Sequence, residues 1–169
     1  MVNDLYDFVT RLRAIREYAD RPLADGDLEA ILEAARWTGS AKNRQRWSFV
    51  VIREPEQLER LAACGDHTEP VRGSAATIVI VVEQDGYEFD SGRVAQNIML
   101  AASAIGVASC PITLHRQHRA ERLLGVGTGR ACRYAVALGY PAPGASPSVG
   151  GGRKPLEDLV HWERYRTTS

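Results

Sequence analysis

Three polar side chains that could bind a heterocyclic ring, Ser40, Asn43 and Gln45, lie within one short segment of the chain. Asn43 and Gln45 each offer amide N–H donors and a carbonyl acceptor, and Ser40 adds a hydroxyl. These groups complement a planar ring whose edge alternates carbonyl and N–H groups. The same residue types are common in ordinary turns. An exposed polar loop is therefore the alternative interpretation of this spacing.

Two arginines, Arg13 and Arg16, form a second candidate site near the end of a helix predicted over residues 4–15. Residues three apart on a helix share one side, so both guanidinium groups could contact a single anion. Arginine suits phosphate because its planar fork presents several donors at once. A solvated basic edge is the alternative.

The segments around these residues predict helices and strands that would hold them in place. Loop 38–47 lies between an amphipathic helix, which Asp25 or Asp27 could cap, and an apolar strand at residues 47–52. Residues 66–73 are expected to be a short polar loop. Further helices are predicted from Pro55 to residue 64, over residues 90–106 and near residue 121, and strands over residues 77–82, 107–114 and 134–138. The buried stripe of helix 90–106 is predicted at Val94, Ile98, Ala101 and Ile105.

Loop 38–47 resembles the P-S-x-x-N-x-Q-P-W motif of the nitroreductase family of FMN-dependent oxidoreductases. The matching residues are Ser40, Asn43, Gln45 and Trp47. Gly39 and Arg46 stand where the family has proline. In the family this motif reaches the flavin, which assigns that role to the three polar residues of the loop.

The arginine segment is similar to the family's R-R-S-I-R-x-F motif, with matches at Arg13, Ile15, Arg16 and Tyr18. The resemblance implies that Arg13 binds the flavin phosphate and that Arg16 stabilises negative charge at N1 and C2=O. Leu12 and Ala14 replace the family's first arginine and its serine, which removes two expected phosphate ligands.

Other family motifs follow in the same order along the chain. Residues 90–109 resemble the family's long-helix motif, and residues 139–141 its G-Y-P strand end. In a further family segment a backbone N–H bonds flavin N5, which corresponds to Thr113 or Leu114 here. The segment 153–161 resembles a family tail in which Arg153 would bind phosphate. Gly151 stands where relatives have a second cation.

The resemblance implies an α+β, nitroreductase-like fold with a central mixed β-sheet flanked by helices. Residues 1–169 would form one domain of a domain-swapped homodimer, with residues 153–169 as an arm that reaches the partner subunit. FMN would take hydride from NADH or NADPH in a ping-pong reaction and reduce a nitroaromatic, a quinone or a similar acceptor. The alternative is a flavin- or deazaflavin-binding protein of the same fold, active in cofactor processing or redox sensing.

Composition argues against several other classes of protein. Lys and Arg total 21, as do Asp and Glu, so no overall positive charge would attract nucleic acid or a membrane surface. The three cysteines are widely spaced, which favours a reduced, cytoplasmic protein over a disulfide or zinc framework. His115 and His118 are spaced for one helix face, but no third metal ligand is evident. The glycine-rich turn at residues 125–129 does not follow a strand as a dinucleotide-binding loop would.

Overall fold

The computed structural model describes residues 2–147 and 152–165, in which helices cover both faces of a sheet. The helices are α1 (Val2–Arg11), α2 (Asp25–Arg36), α3 (Pro55–Ala62), α4 (Glu69–Arg72), α5 (Glu88–Ala104) and α6 (Gln117–Leu124). The strands are β1 (Trp47–Ile52), β2 (Ala76–Glu83), β3 (Ala108–Thr113) and β4 (Arg130–Gly139). Single 3₁₀ turns form at Ala41–Asn43 and Leu156–Asp158.

The described strands form one sheet in the order β1-β2-β4-β3. Every neighbouring pair in it is antiparallel. The predicted α+β class is confirmed, but the predicted mixed sheet is wrong for this part of the chain. The reason is that β4 lies between β2 and β3 and runs against both of them. The same order places β1 and β3 at opposite edges of the sheet.

Strand β2 contributes to a hydrophobic core on each face of the sheet. Val79 and Val81 pack with residues of α3 and α6 on one face. Ile78 and Ile80 pack with residues of α2 and α5 on the other. Successive side chains of a strand alternate between its faces, so one continuous apolar run supplies both cores. The predicted burial of this strand on both faces is confirmed.

Helix α1 ends at Arg11, four residues earlier than the periodicity predicts. The following segment runs along the edge of β3, where the Ile15 N–H donates to the Ser109 carbonyl at 3.0 Å. Tyr18 then forms a β-bridge with Pro141. Backbone pairing with the sheet edge has replaced the last helical turn, since tertiary contacts outweigh helix propensity. Arg13 and Arg16 therefore lie on an extended segment and not on one side of a helix.

Other predicted boundaries differ in smaller ways. Helix α2 begins after Ala24, and within the described residues neither candidate aspartate caps it. Asp25 instead pairs with Arg53 at 2.6 Å, and Asp27 accepts a hydrogen bond from the Tyr140 hydroxyl at 2.5 Å. Tertiary partners have thus taken both carboxylates.

The region around the long helix also departs from the predictions. Helix α4 forms within the segment predicted as a polar loop, because Pro70 and Val71 are buried against the core. Helix α5 begins at Glu88, two residues before the predicted start. Of its predicted stripe, Val94 and Ile98 are fully buried, whereas Ile105 is 40% exposed.

Candidate functional site

The loop before β1 has a constrained backbone at the residues proposed to bind a ring. Lys42, Asn43 and Gln45 have φ angles of 53°, 51° and 50°. This left-handed region costs residues other than glycine about 1 kcal/mol each, and least for asparagine. The Gln45 N–H donates to Ser40 Oγ at 2.9 Å, and Gln45 Nε2 donates to Asn43 Oδ1 at 3.0 Å. The three polar residues therefore form one hydrogen-bonded group.

Contacts with α5 and with the turn after β2 anchor this loop. Asn97 Nδ2 donates to the buried Thr38 hydroxyl at 2.8 Å, and Arg93 donates to the Gly39 carbonyl at 2.5 Å. Arg46 forms an ion pair with Asp85. Asn97 and Arg46 thus position the loop, a role that the sequence motifs did not reveal.

The two arginines near β3 have different surroundings. Arg13 donates to the carbonyls of Thr10 and Leu12 at 2.8 Å each, and so caps the end of α1. Arg16 lies close enough to Tyr18 and Cys110 to affect both groups. Burial raises the pKa of the Tyr18 hydroxyl and of the Cys110 thiol, and the positive charge of Arg16 partly opposes both shifts. The extended segment therefore brings a cation to the outer side of β3.

Strand β3 is an edge strand, and its hydrogen bonds separate the two candidates for a backbone donor. The Leu114 N–H donates to the Arg133 carbonyl at 2.8 Å, so this donor is already engaged. Thr113 is the preceding residue, opposite Tyr134. Antiparallel pairs alternate between bonded and non-bonded, so the Thr113 N–H points away from β4 at the open edge. The Thr113 N–H is thus the better placed of the two to donate a hydrogen bond to a ligand.

A groove of about 560 Å³ lies beside Thr113, between the first half of α5 and strand β3. Its floor includes Pro111, and Gly92 and Ala95 provide a low wall on the helix. Phe89 stands at its rim and is 76% exposed. The groove is mainly apolar, which suits a flat aromatic ring.

The turn at Gly65 and Asp66, which follows α3, packs against the end of β3. The Thr113 carbonyl oxygen lies 2.8 Å from the position that a Cβ on Gly65 would occupy, so only glycine fits at this approach. The Asp66 N–H donates to Nδ1 of His115 at 3.2 Å, and Arg116 bonds the Asp66 carboxylate at 2.5 Å. The hydrogen bond from Arg116 holds the pKa of the Asp66 carboxyl below its usual range. The fold was needed to find this cluster, since its halves are about fifty residues apart in sequence.

The segment that carries Arg153 lies on the surface. Residues 152–160 are exposed, and so are the large side chains of Leu156, Trp162 and Tyr165. Gly151, where relatives have a second cation, falls outside the described residues. An exposed row of aromatic and aliphatic side chains is typical of an interface.

The structure does not bring all the predicted ligands together within one subunit. Arg13, Arg16 and Thr113 lie at the β3 edge, whereas Ser40, Asn43 and Gln45 lie next to β1. The register runs from Thr113 through Tyr134 and Ile80 to Phe49, which is three strand spacings or about 14 Å. One subunit therefore presents two half-sites at opposite edges of its sheet.

The described residues contain neither a metal-binding cluster nor a membrane-spanning helix. In residues 2–147 and 152–165, no three His, Cys, Asp or Glu side chains are grouped so that they could hold a metal ion. Within the same ranges, no helix has the length and apolar character needed to span a bilayer.

Comparisons of the sequence and of the structure with known proteins point to the same family. The model of the Nitroreductase family matches residues 9–67 and 68–140. An NADH dehydrogenase of Thermus thermophilus is 30% identical over 195 residues, covering 89% of this chain and 91% of that protein.

Solved structures share the fold at lower sequence identity. The NADPH:FMN oxidoreductase of Vibrio harveyi, solved with NAD⁺, superposes with a TM-score of 0.86 at 23% identity, covering 99% of this chain and 80% of that one. An FMN-dependent nitroreductase of Clostridium difficile R20291 has a TM-score of 0.83 at 22% identity, covering 95% and 99% of the two chains. With the family model matching most of its length, this chain belongs to the nitroreductase family, whose members are oxidoreductases.

Proposed function

We propose that this protein is an FMN-dependent oxidoreductase that uses NADH or NADPH to reduce a nitroaromatic, a quinone or a similar acceptor by a ping-pong mechanism. When bound, FMN supplies a ring that accepts hydride from reduced nicotinamide and passes electrons to the acceptor. The observation that carries the proposal is the outward N–H of Thr113 beside the apolar groove, together with Arg16 on the segment that pairs with the same strand. The cofactors named for the Vibrio and Clostridium proteins support it.

The donor set fits FMN at both its ring and its phosphate. The Thr113 N–H would bond N5, and the Asn43 and Gln45 amides would bond the polar ring edge together with Ser40. Arg16 would place positive charge near N1 and C2=O, where a reduced ring carries negative charge. Arg13 and Arg153 would hold the phosphate. Arg13 would have to release the carbonyls of Thr10 and Leu12 to which it now donates.

A homodimer with shared sites accounts for the separation of these ligands. The two half-sites lie at opposite edges of the sheet, where strands β1 and β3 are about 14 Å apart, and a two-fold partner can bring its own loop to the β3 edge. The arm at residues 153–169 would then cover apolar surface on the partner, as its exposed Leu156 and Trp162 suggest. Domain swapping and a cytoplasmic location stay predictions.

The second candidate is a flavin- or deazaflavin-binding protein without reductase turnover. The absence of phosphate ligands at Leu12 and Ala14 in the sequence favours it, because weaker phosphate contacts suit a cofactor that is processed and released. Such a protein would bind flavin and leave it oxidised in the presence of NADH and NADPH.

Titration with FMN, followed by flavin fluorescence, tests the proposed ring contacts. The N43A/Q45A double variant should bind FMN at least tenfold more weakly, since each lost hydrogen bond contributes about 1 kcal/mol. R44A, an exposed change in the same loop, is the matched control and should bind normally. Equal affinity in all three proteins would contradict the assignment of this loop.

A further inference from the structure

A second cavity, of about 410 Å³, adjoins the groove where strands β2 and β4 meet the start of α5. Glu88, Ser91 and Tyr134 line both spaces. Ile80 and Val82 give the cavity an apolar wall on the sheet. A ligand at the groove can therefore extend into the cavity past these three shared side chains.

The cavity lies beyond Thr113, away from the residue proposed to bind the flavin phosphate. Thr113 pairs with Tyr134 on β4, and residues that precede Tyr134, back to Arg130, line the cavity. The segment that carries Arg13 bonds instead to Ser109, near the start of β3. A flavin bound as proposed therefore leaves the cavity free for a second ligand.

The start of α5 presents unsatisfied donors to this cavity, which Gly86, Glu88 and Ser91 line. Within the described residues no side chain caps the first turn of this 17-residue helix, so its end carries partial positive charge. Ser91 is 2% exposed, and its hydroxyl has no hydrogen-bond partner among the described residues. A buried hydroxyl is costly to leave unpaired, so an acceptor group on a ligand would satisfy it.

The charged side chains that line the cavity leave one cation available. Arg133 lies 3.3 Å from the Glu88 carboxylate, so these two charges offset each other. Arg130 stands opposite Glu83 on the neighbouring strand, yet neither side chain forms an ion pair within the described part of the chain. Arg130 and the helix end together suit a ligand with one negative charge. The pyrophosphate of a nicotinamide donor carries more charge than this lining offsets.

We propose that the cavity binds the carboxylate of an aromatic acceptor that approaches the flavin at the groove. The inference rests on the proposed function and narrows its acceptors to nitroaromatics and quinones that carry a carboxylate. Arg130 and the Ser91 hydroxyl donate to the carboxylate, and the start of α5 favours its charge. The carboxylate takes no part in electron transfer, and its binding orients the acceptor ring.

Equilibrium binding to the oxidised, FMN-loaded protein tests this site without turnover. The probes are para-nitrobenzoate and para-nitrobenzamide, which have nearly the same shape and differ in charge. By isothermal titration calorimetry, wild type should bind the carboxylate about tenfold more tightly, as a charge-assisted hydrogen bond contributes. R130A should lose this preference. R122A, an exposed change on α6 outside the cavity, is the matched control and should keep it.

The S91A variant separates ligand binding from folding. Removal of an unpaired buried hydroxyl should not lower the melting temperature, whereas affinity for para-nitrobenzoate should fall about fivefold. A lower melting temperature with unchanged affinity would contradict the role of Ser91 in the site.

Equal affinity for the two compounds in wild type, or an unchanged preference in R130A, would overturn the inference. Weaker binding of NADH or NADPH in R130A, with the carboxylate preference retained, would assign the cavity to the donor and overturn it as well. These results leave the proposed function standing, because bleaching of the flavin by NADH or NADPH is measured separately. A flavin that never bleaches would refute the proposed function, and the binding preference would still be measurable.

Discussion

Phosphate binding in the proposed site depends on few residues, because Leu12 and Ala14 cannot contribute ligands. Arg153 should therefore have a large effect on FMN affinity. We expect R153A to weaken FMN binding by roughly 1–3 kcal/mol, or about 5- to 150-fold in Kd, through loss of a charge-assisted hydrogen bond. Isothermal titration calorimetry with FMN measures the change. R164A, on the same exposed segment, should bind normally, and an unchanged Kd in R153A would remove Arg153 from the site.

The cysteines should be unreactive in the folded protein. Cys64, Cys110 and Cys132 are buried, and burial raises the pKa of all three thiols, that of Cys132 to about 12. Since the thiolate is the reactive form, iodoacetamide at mildly alkaline pH should label these residues only after denaturation, as mass spectrometry can show. Rapid labelling of the native protein would contradict this burial.

The raised pKa of Cys132 also has a consequence for stability. In the folded protein the pKa of this thiol lies above its ordinary value of 9.0. The contribution of the neutral, buried thiol to the free energy of unfolding is therefore fully present below pH 9.0 and is lost as the pH rises toward about 12. Urea unfolding at increasing pH should therefore show a loss of stability over this range that is smaller in C132A. An identical loss of stability at alkaline pH in wild type and C132A would contradict this role of Cys132.

At the scale of elements, the loop before β1 combines strained backbone with fixed anchors. Lys42 has φ 53° on an exposed turn, a conformation that glycine adopts without penalty. We expect K42G to increase the free energy of unfolding by about 0.5–1 kcal/mol, because relief of strain exceeds the entropy that glycine adds to the unfolded chain. K42A keeps the strained backbone and should match wild type in the same urea titrations. A less stable K42G would show that the side chain, and not the backbone, matters here.

Most elements could be predicted from sequence, whereas their tertiary partners could not. The periodic and β-branched patterns located the long helix, the central strand and the loop at residues 38–47 because those patterns reflect burial. The end of α1 was missed, since pairing of Ile15 with Ser109 is a long-range contact. The contacts of the Gly65–Asp66 turn with Thr113 and His115 were missed for the same reason. Single motifs gave candidate ligands, but which edge each one lies on depends on strand order.

At the scale of the whole molecule, strand order separates the half-sites and predicts complementation between subunits. N43A/Q45A damages one half, and R13A/R16A damages the other. If each site uses both subunits, a heterodimer of the two variants contains one intact site. Co-expression of the two variants should then restore FMN binding to about a quarter of the wild-type sites, as random pairing of subunits gives.

The outcome of this mixing separates the two arrangements. If each subunit supplied all of its own ligands, every site in the mixture would carry a damaged half, and co-expression would restore nothing. Each variant expressed alone is the control and should bind little FMN.

The most direct test of the proposed function is an anaerobic absorbance spectrum of the purified protein, before and after addition of NADH and then NADPH. We predict visible flavin bands that bleach with at least one of the two, which would also identify the electron donor. Flavin bands that persist with both would contradict the reductase and favour the non-turnover alternative. A colourless protein that takes up no added FMN would contradict the flavin site itself.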